Sequence, residues 1–479
     1  MNFYHINSFY KTLLGIIVTF ALQGCIGNEE VVDVVSCDIS EYGSVQSNSA
    51  MLYVDGQQIK DQQGREVILR GVNTSGDSKI PPFTPLTSSV MFDPLPEWGI
   101  NTLRLLFTWE AFEPTRCDYE EAYLAYYEQV VEWAAEQGLY VIVDFHQDAF
   151  SRFSVKGCGE GFPAWAVTST VPLKEPDNGE SCESWGTDMI FDISHHKTWL
   201  YFHRDIEGAR SRYIDMAKTV ADRMSAHPNV IGYELMNEPW GTNEELADLF
   251  NKVGAAIRSR HPESILFVPP HALVSSGALG NNIDKPMFDN FVYAPHYYDP
   301  FVLLSSAWIG VDPAGPLDRM AAHAAQWNVP LLIGEYGAPA DTVNVKGYMS
   351  AYNRWLNSGL YSGTQWNYTP TWQEETKDGW NHEDLSIVDS HGQLRDNFVP
   401  TAYPQAIAGD VVDFEINANS LRFHWVNNPL LGTTEIYLPM GFMDNKKLIL
   451  STGVACQLKG VVLHCASPTN GDVVVEITD

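Results

Sequence analysis

The sequence predicts an α/β protein, a (β/α)8 TIM barrel followed by a C-terminal antiparallel β-sandwich domain. Eight apolar, β-branched runs alternate with amphipathic helical stretches through most of the 479 residues, which is the pattern of a barrel with parallel strands. In residues 410–479 the helical period disappears, and short alternating runs such as LRFHWV and DVVVEIT replace it. We therefore expect the barrel at residues 51–404 and the β-sandwich at residues 405–479.

The barrel prediction assigns each strand and most of the helices. The predicted strands are residues 67–72, 101–107, 139–145, 230–236, 264–268, 291–295, 330–334 and 361–366. The predicted helices include residues 120–138, 206–226, 243–258, 316–327 and 344–358. A small β-hairpin is expected to precede the first strand. The largest insertion, residues 146–205, separates strands three and four and is rich in Gly, Ser, Trp and His.

The N-terminus carries a targeting signal. Ten apolar residues, 13–22, follow Lys11, a stretch too short to span a bilayer but suited to the core of a signal peptide. The stretch runs into LQGC, which resembles a bacterial lipobox and implies lipidation of Cys25; an ordinary secretory signal cut near the same place is the alternative. We expect a signal peptide at 1–24, a tether at 25–50, and an exported protein, either anchored to the membrane surface of the cell envelope or secreted.

Charge and cysteine content limit the partners and the kind of site. The formal net charge of −31 argues against a nucleic-acid partner and against simple electrostatic binding to anionic lipid. We expect the protein to be a monomer. With Cys25 lipidated, six cysteines remain, and fifteen disulfide pairings are possible. Cys456–Cys465 is favoured because its members flank a strand-turn-strand pattern. Cys158–Cys182 would staple a long loop, which leaves Cys37–Cys117. The sequence has no CxxC pair, so a thiolate zinc site is not expected.

Polar residues follow the predicted strands at their carboxyl ends, where barrel enzymes carry their active sites. Taken singly, each has an ordinary structural explanation; Glu238, before Pro239, could for example favour the first turn of a helix. As a set they all fall on one rim, which packing alone does not explain. The set comprises Asn73, Arg104, His146, Asp148, Asn237, Glu238, His296, Tyr298, Glu335, Trp366 and Asn367.

Two carboxylates on opposite strands define the predicted chemistry. Glu238 follows strand four and Glu335 ends strand seven, so the two face each other across the barrel. No G-x-S-x-G elbow, phosphate-binding glycine loop or H-E-x-x-H motif is present. His146, Asp148 and His296 could suggest a metal, but a carboxylate pair without an obvious metal cage suits glycoside hydrolysis, with one acid and one nucleophile. We expect neither a metal nor a cofactor.

Several motifs resemble one family. Along the chain these are LRGVN, GFPAWAV, YELMNEPW, APHYYDP, IGEYGAP and GTQWNY, which is their order in glycoside hydrolase family 5, of the retaining clan. The likeness is greatest to endoglycoceramidases and related glycosylceramide or steryl-glucoside hydrolases, through DFHQD, SKIPPF and YPQAIAG. It implies that Glu238 is the acid/base and Glu335 the nucleophile. It further implies substrate-binding roles for Lys79, Arg104, His146, Asp148, Asn237, His296, Tyr298 and Trp366.

The resemblance implies a retaining β-glycosidase that cleaves between sugar and lipid aglycone in glycosphingolipids, with a glycolipid as its partner. Exo-acting glucosylceramidase or steryl-β-glucosidase activity is an alternative, as is a β-glucanase or mannanase of the same family. A non-enzymatic lectin on an inactive barrel is a third hypothesis. The sequence leaves open the sugar head group, endo or exo action and the role of the C-terminal domain.

Overall fold

The computed structural model describes residues 51–275, 277, 279–281, 283–417 and 419–479. The predicted signal peptide and tether, with Cys25 and Cys37, lie outside these residues. The strands are β1 (Leu52–Asp55), β2 (Gln58–Asp61), β3 (Glu66–Val67), β4 (Arg70–Thr74), β5 (Thr102–Thr108), β6 (Tyr140–His146), β7 (Val230–Glu234), β8 (Ile265–Val268), β9 (Phe291–Tyr293), β10 (Leu332–Tyr336), β11 (Ser362–Tyr368), β12 (Tyr403–Ile407), β13 (Gly409–Ile416), β14 (Leu421–Asn427), β15 (Thr434–Tyr437), β16 (Lys447–Leu450), β17 (Ala455–Lys459), β18 (Val462–Ala466) and β19 (Gly471–Thr478).

The α-helices pack mainly around the barrel, and short 3₁₀ helices replace them in some connections. They are α1 (Trp109–Phe112), α2 (Glu121–Glu136), α3 (Trp185–Phe191), α4 (Ile193–His203), α5 (Ala209–Met224), α6 (Asn243–Arg258), α7 (Pro300–Ser305), α8 (Ala314–Trp327) and α9 (Val345–Ser358). Among the described residues, no helix is both long and apolar enough to cross a membrane.

Eight parallel strands form the predicted barrel. Their order is β10, β11, β4, β5, β6, β7, β8 and β9. The two outer strands meet through parallel bridges, Tyr293 with Leu331 and His296 with Glu335, which brings the sheet round on itself. The barrel is therefore confirmed, and all eight strands lie close to their predicted positions. The fourth strand ends at Glu234, two residues earlier than predicted.

The N-terminal hairpin closes the lower end of the barrel. Leu52, Ile59 and Val67 pack with strand residues such as Ile231 and Phe267 in one buried apolar cluster. Burial of this surface stabilises the end of the barrel opposite to the carboxyl ends of the strands. Apolar area removed from water contributes roughly 25 cal/mol per Å² to the free energy of folding.

Two antiparallel sheets form the predicted C-terminal sandwich. One has the order β13-β14-β19-β16, and the other has the order β1-β2-β3-β12-β15-β18-β17. Side chains from both sheets, among them Ile436, Phe423 and Val475, share one core. The larger sheet includes the N-terminal hairpin, which the sequence did not predict, since Val67 pairs with the distant Ala406. The expected boundary between residues 404 and 405 falls within β12.

Disulfides tie the insertion and the sandwich. Cys158–Cys182 joins two parts of the 146–205 insertion, and Cys456–Cys465 joins β17 to β18, as predicted. Cys117 is also disulfide-bonded; its predicted partner, Cys37, lies outside the described residues. The insertion itself contains α3 and α4 and reaches the catalytic rim.

Candidate active site

Glu238 occupies a tight turn after β7. Its φ of 36° is in the left-handed region, which is costly for a non-glycine residue, on the order of 1 kcal/mol or more. The side chain of Gln147 supports this turn by donating hydrogen bonds to the carbonyls of Asn237 at 2.7 Å and Glu238 at 3.1 Å. Helix α6 begins only at Asn243. Glu238 is therefore not a helix-capping residue, and its carboxylate is directed into the barrel mouth.

Two neighbours hold the carboxylate of Glu238. The hydroxyl of Ser275 donates to Oε1 at 2.9 Å, and Nδ1 of His296 lies 3.0 Å from the same oxygen. Burial would lower the pKa of His296, but the carboxylates of Glu335, Glu234 and Glu238 outweigh it and raise that pKa to about 10. His296 is consequently a cation at neutral pH that lies between the two proposed catalytic acids.

Glu335 lies in β10 and is held by two different donors. Nη1 of Arg104 donates to Oε1 at 2.8 Å, and the hydroxyl of Tyr298 donates to Oε2 at 2.9 Å. Burial and the nearby Glu335 carboxylate raise the pKa of Tyr298 well above its usual value, so the phenol remains a donor. Hydrogen bonds on both oxygens fix the orientation of this carboxylate, as a nucleophile requires.

The separation of the two acids fits one stereochemical outcome. A carboxylate oxygen of Glu238, a carboxylate oxygen of Glu335 and a ring nitrogen of His296 all lie within 4.8 Å of one another. Retaining glycosidases keep their carboxyl groups about 5–5.5 Å apart, whereas inverting ones leave about 6.5–9.5 Å for a water molecule. The nearest oxygens of the two acids are therefore closer together than the carboxyl groups of an inverting pair.

Arg104 is the centre of a buried polar network inside the barrel. Its guanidinium makes two bonds to Glu234, of 2.6 and 2.8 Å, and lies 2.9 Å from Asp144. It also donates to the side-chain oxygens of Asn73 and Asn237, both at 2.8 Å. The side-chain nitrogen of Asn237 in turn donates to the carbonyl of Gln147 and to Asp148. The side chain of Arg104 thus fixes the positions of both Asn237 and Glu335.

Lys79, His146, Asp148 and Trp366 form a second group, on the side of β4 and β6. Nζ of Lys79 lies 2.6 Å from Asp148 and 4.2 Å from the ring centre of Trp366. The imidazole of His146 stacks on Trp366 and binds Asp144 through Nδ1 at 2.6 Å. Burial would lower the pKa of His146, but Asp144 and Glu160 raise it to about 10. The group combines charged side chains of both signs with an aromatic ring.

All ten predicted catalytic and substrate-binding residues are therefore brought together at one end of the barrel. The roles of the individual residues stay predictions. The sequence analysis missed Glu234 and Asp144, although a signal was present. Each is a carboxylate within an otherwise apolar strand beside the position of Arg104, and a buried cation needs such partners.

Two further carboxyl groups near the site, of the buried Glu160 and the half-buried Glu383, could not be predicted from the sequence. Neither carboxylate oxygen of Glu160 has a hydrogen-bond partner within the described part of the chain, and its Oε1 lies 3.7 Å from Nε2 of His146. Burial raises the pKa of Glu160 to about 8.

Glu383 accepts a hydrogen bond from Nε1 of Trp185 at 3.2 Å. Burial raises the pKa of Glu383 to about 7; the cation of Lys79 lowers this pKa, and the carboxylate of Asp148 raises it. Both come from loops, whose course local patterns do not determine.

Two proteins named as endoglycoceramidases are similar to the chain, one over most of its length and the other over part of it. It is 26% identical to endoglycoceramidase I of Rhodococcus hoagii (strain 103S), over 89% of this chain and 88% of the relative. It is 32% identical to an endoglycoceramidase of Cyanea nozakii, over 38% of this chain and 40% of the relative.

Solved structures share the fold. Endo-glycoceramidase II from Rhodococcus sp., in its complex with ganglioside GM3, superposes with a TM-score of 0.74 at 22% identity, covering 88% of this chain and 99% of that one. Sterylglucosidase 1 of Cryptococcus neoformans superposes with a TM-score of 0.73 at 18% identity, covering 90% and 97%.

The family model for cellulase, glycosyl hydrolase family 5, matches residues 60–371, well over half of the chain. The resemblance drawn from the sequence motifs is thereby confirmed, and the hypothesis of a non-enzymatic lectin is not supported. The chain belongs to glycosyl hydrolase family 5 and is a glycoside hydrolase.

Proposed function

We propose that the chain is a retaining β-glycosidase that cleaves the bond between sugar and lipid aglycone in glycosphingolipids, as an endoglycoceramidase does. The observation that carries the reaction type is the short separation of Glu238 and Glu335, each with its own set of partners. The similarity to endoglycoceramidase I over 89% of the chain supports the substrate class.

The first step forms a glycosyl-enzyme intermediate. A carboxylate oxygen of Glu335 attacks the anomeric carbon and forms a bond to it, while the bond from that carbon to the aglycone oxygen breaks. The proton of Glu238 passes to the departing oxygen. Both contacts of Glu238 with Ser275 and His296 fall on Oε1, so we assign the transferable proton to Oε2.

The second step reverses these roles. Glu238, now ionised, takes a proton from water, and the resulting hydroxide oxygen bonds to the anomeric carbon as the bond to Glu335 breaks. Arg104 and Tyr298 receive Glu335 again as a carboxylate, each through the hydrogen bond described above. The two inversions at one carbon retain its configuration.

Exo action on the same lipids is the second candidate, and one set of contacts favours it. The ring of Trp185, from the 146–205 insertion, lies 5.0 Å from the ring of Trp380, and Trp380 lies 4.0 Å from Nζ of Lys79. Asn178 of the insertion also donates to the carbonyl of Gly379. These contacts form a wall beside the group that contains Lys79, which would limit the number of sugars accepted.

A substrate panel tests both candidates. The protein is incubated with glucosylceramide, lactosylceramide, ganglioside GM3, a steryl β-glucoside, a β-glucan and a mannan, and products are separated by thin-layer chromatography. Release of an intact oligosaccharide from GM3 supports endo action, and cleavage of glucosylceramide or the steryl glucoside alone supports exo action. Activity confined to the polysaccharides would refute a glycolipid substrate. Glu335→Gln serves as the inactive control.

We also propose that the protein is exported and lipidated on Cys25, because the LQGC motif follows a signal-like apolar stretch. The test is fractionation of the native bacterial cells or of a bacterial expression host. The parent should be found with membranes and Cys25→Ser in the soluble fraction, with a diacylglyceryl mass on the N-terminal peptide of the parent. An unmodified peptide that begins elsewhere would contradict lipidation.

A further inference from the structure

An apolar rim stands beside the active site. It consists of five exposed side chains on the loops that follow β9 and β10. Their exposed fractions decide the argument: Phe301 51%, Leu304 81%, Ile309 69%, Val311 60% and Val343 66%. Four of them lie within residues 301–311, and a bridge from Ala307 joins this segment to Val343. Exposed apolar side chains grouped in this way mark a surface that contacts another apolar phase.

The rim is an ordered structure. Asp299 caps α7 by accepting hydrogen bonds from the backbone nitrogens of Phe301 and Val302, and the side chain of Val302 is buried. The two loops are joined by reciprocal backbone hydrogen bonds, from Trp308 to Val343 and from Val343 to Ser306, both at 2.9 Å. The apolar side chains are thus held outward on a braced scaffold.

The rim lies on the side from which the aglycone leaves. The proposed proton donor, Glu238, is held by Ser275 and His296, which follow β8 and begin the loop after β9. The sugar-binding group with Lys79 and Asp148 belongs to the opposite side, near β4 and β6. The loop that continues past Tyr298, itself bound to Glu335, becomes α7 and the rim.

The charge pattern identifies the partner. Residues 300–311 contain no charged side chain, although the chain carries a net charge of −31. An anionic surface would repel such a protein, and the rim offers it no cation. A zwitterionic or neutral lipid surface carries no such penalty and can receive Phe, Leu, Ile and Val side chains in its acyl region.

We propose that this rim docks the enzyme on a zwitterionic membrane by inserting its apolar side chains, with the active-site mouth facing the bilayer. The inference rests on the proposed function, since a ceramide aglycone lies within a bilayer. In the docked enzyme the aglycone would lie on the side of Glu238 and the sugar on the side of Lys79. The glycolipid would therefore not have to leave the membrane before it binds to the active site.

The test measures depth at one residue, because the lipid proposed at Cys25 would bind vesicles by itself. The full chain with Cys25→Ser receives a nitroxide spin label at Leu304→Cys and is mixed with phosphatidylcholine vesicles that contain no glycolipid. The label should become more accessible to oxygen and less accessible to a water-soluble nickel complex. A matched label at Leu430→Cys, 90% exposed in the C-terminal domain, should remain in water. Equal aqueous exposure of both labels would overturn the proposal.

A second measurement separates this proposal from the proposed function. Leu304→Ser/Ile309→Ser should lower hydrolysis of vesicle-embedded glycolipid about tenfold or more, since two apolar side chains lose their burial, and leave hydrolysis of detergent-solubilised substrate unchanged. Met287→Ser/Leu430→Ser, matched in exposure, should change neither. Equal losses in both assays would overturn docking. Docking would also be overturned if sedimentation showed that the parent self-associates and that only Leu304→Ser/Ile309→Ser abolishes this, because the rim would then bind a second copy of the chain. Absence of any glycolipid hydrolysis would refute the proposed function while the depth measurement stands.

Discussion

Arg104 and Glu335 are joined by a hydrogen bond of 2.8 Å between Nη1 and Oε1, deep in the barrel. The same guanidinium binds Glu234 with two bonds and lies against Asp144. Three carboxylates therefore share one fully buried cation. Burial would lower the pKa of Arg104, but these carboxylates raise it well above its usual value. Arg104 therefore connects Glu335 to the two buried carboxylates of the barrel interior.

Replacing Arg104 should damage stability and catalysis together. Arg104→Met leaves Glu234 and Asp144 buried without their cation, and removal of one partner from a buried ion pair costs about 3–5 kcal/mol. We expect that loss in the free energy of unfolding, measured with urea. Arg104→Lys keeps the charge but not the planar fork, so it should unfold at an intermediate urea concentration and still lose most of kcat. A Lys variant with unchanged kcat would contradict the positioning of Glu335 by the guanidinium.

The two acids should respond differently to the leaving group. Glu238→Gln removes the proposed proton donor, so hydrolysis of a lipid β-glycoside should fall about 100-fold or more. With a dinitrophenyl β-glycoside, whose leaving group needs no proton, the first step should still proceed. The glycosyl-enzyme should then accumulate, and a burst of dinitrophenolate should be seen. Glu335→Gln should abolish turnover of both substrates. These outcomes are read by stopped-flow absorbance and intact-protein mass spectrometry.

The matched control for both variants is Glu136→Gln, an exposed acid near the end of α2. It should retain the parent's rate on each substrate. If Glu238→Gln lost the dinitrophenyl substrate as completely as the lipid glycoside, Glu238 would not be the proton donor. The assignment would then pass to another group at the rim.

Glu160 should make the protein less stable as pH rises. Its folded pKa is raised to about 8 from a usual value of 4.5, so between these values the folded state binds the extra proton. Stability from this group is fully present below pH 4.5 and is lost as pH rises through 8. His146, with a pKa raised to about 10, acts in the same direction at higher pH. We expect the Tm to be lower at pH 8.5 than at pH 5.5.

Glu160→Gln tests this dependence because an amide does not ionise. The difference in Tm between the two pH values should shrink, on the order of 2 °C for each kcal/mol removed. It should not vanish, since burial also raises the pKa of Asp378 to about 8. Glu136→Gln again provides the exposed control and should leave the difference as it is. A Glu160→Gln variant that follows the parent at every pH would show that Glu160 is ionised in the folded protein.

Strand positions were predictable from the sequence because each strand has its own local signal. The polar residues Arg104 and Glu335 were predictable for a related reason, since strand ends in a barrel converge on one rim. The pairing of Val67 with Ala406 had no such signal. It joins segments from opposite ends of the chain, and local periodicity contains no information about it.

The remaining gaps lie in the loops. Glu238 was expected at a strand end, yet it lies in a left-handed turn fixed by Gln147. Glu160 and Glu383 become neighbours of the site only through the course of two long loops, which the tertiary contacts decide. The wall between Trp185 and Trp380 arises in the same way. The family and the convergence of the site residues were therefore predictable, whereas the shape of the loops beside Lys79 was not.

Glu383 should make substrate affinity depend on pH near neutrality. Its pKa is raised to about 7 by burial and by neighbouring carboxylates, and Trp185 directs its carboxyl group by a hydrogen bond. Above pH 7 the ionised group accepts hydrogen bonds from sugar hydroxyls more strongly. We expect KM for glucosylceramide to fall a few-fold between pH 6 and 8, with Glu383→Gln flattening that change and kcat moving little. Glu374→Gln, an exposed acid in the same loop, is the control. A parent and a Glu383→Gln variant with parallel KM profiles would remove Glu383 from sugar recognition.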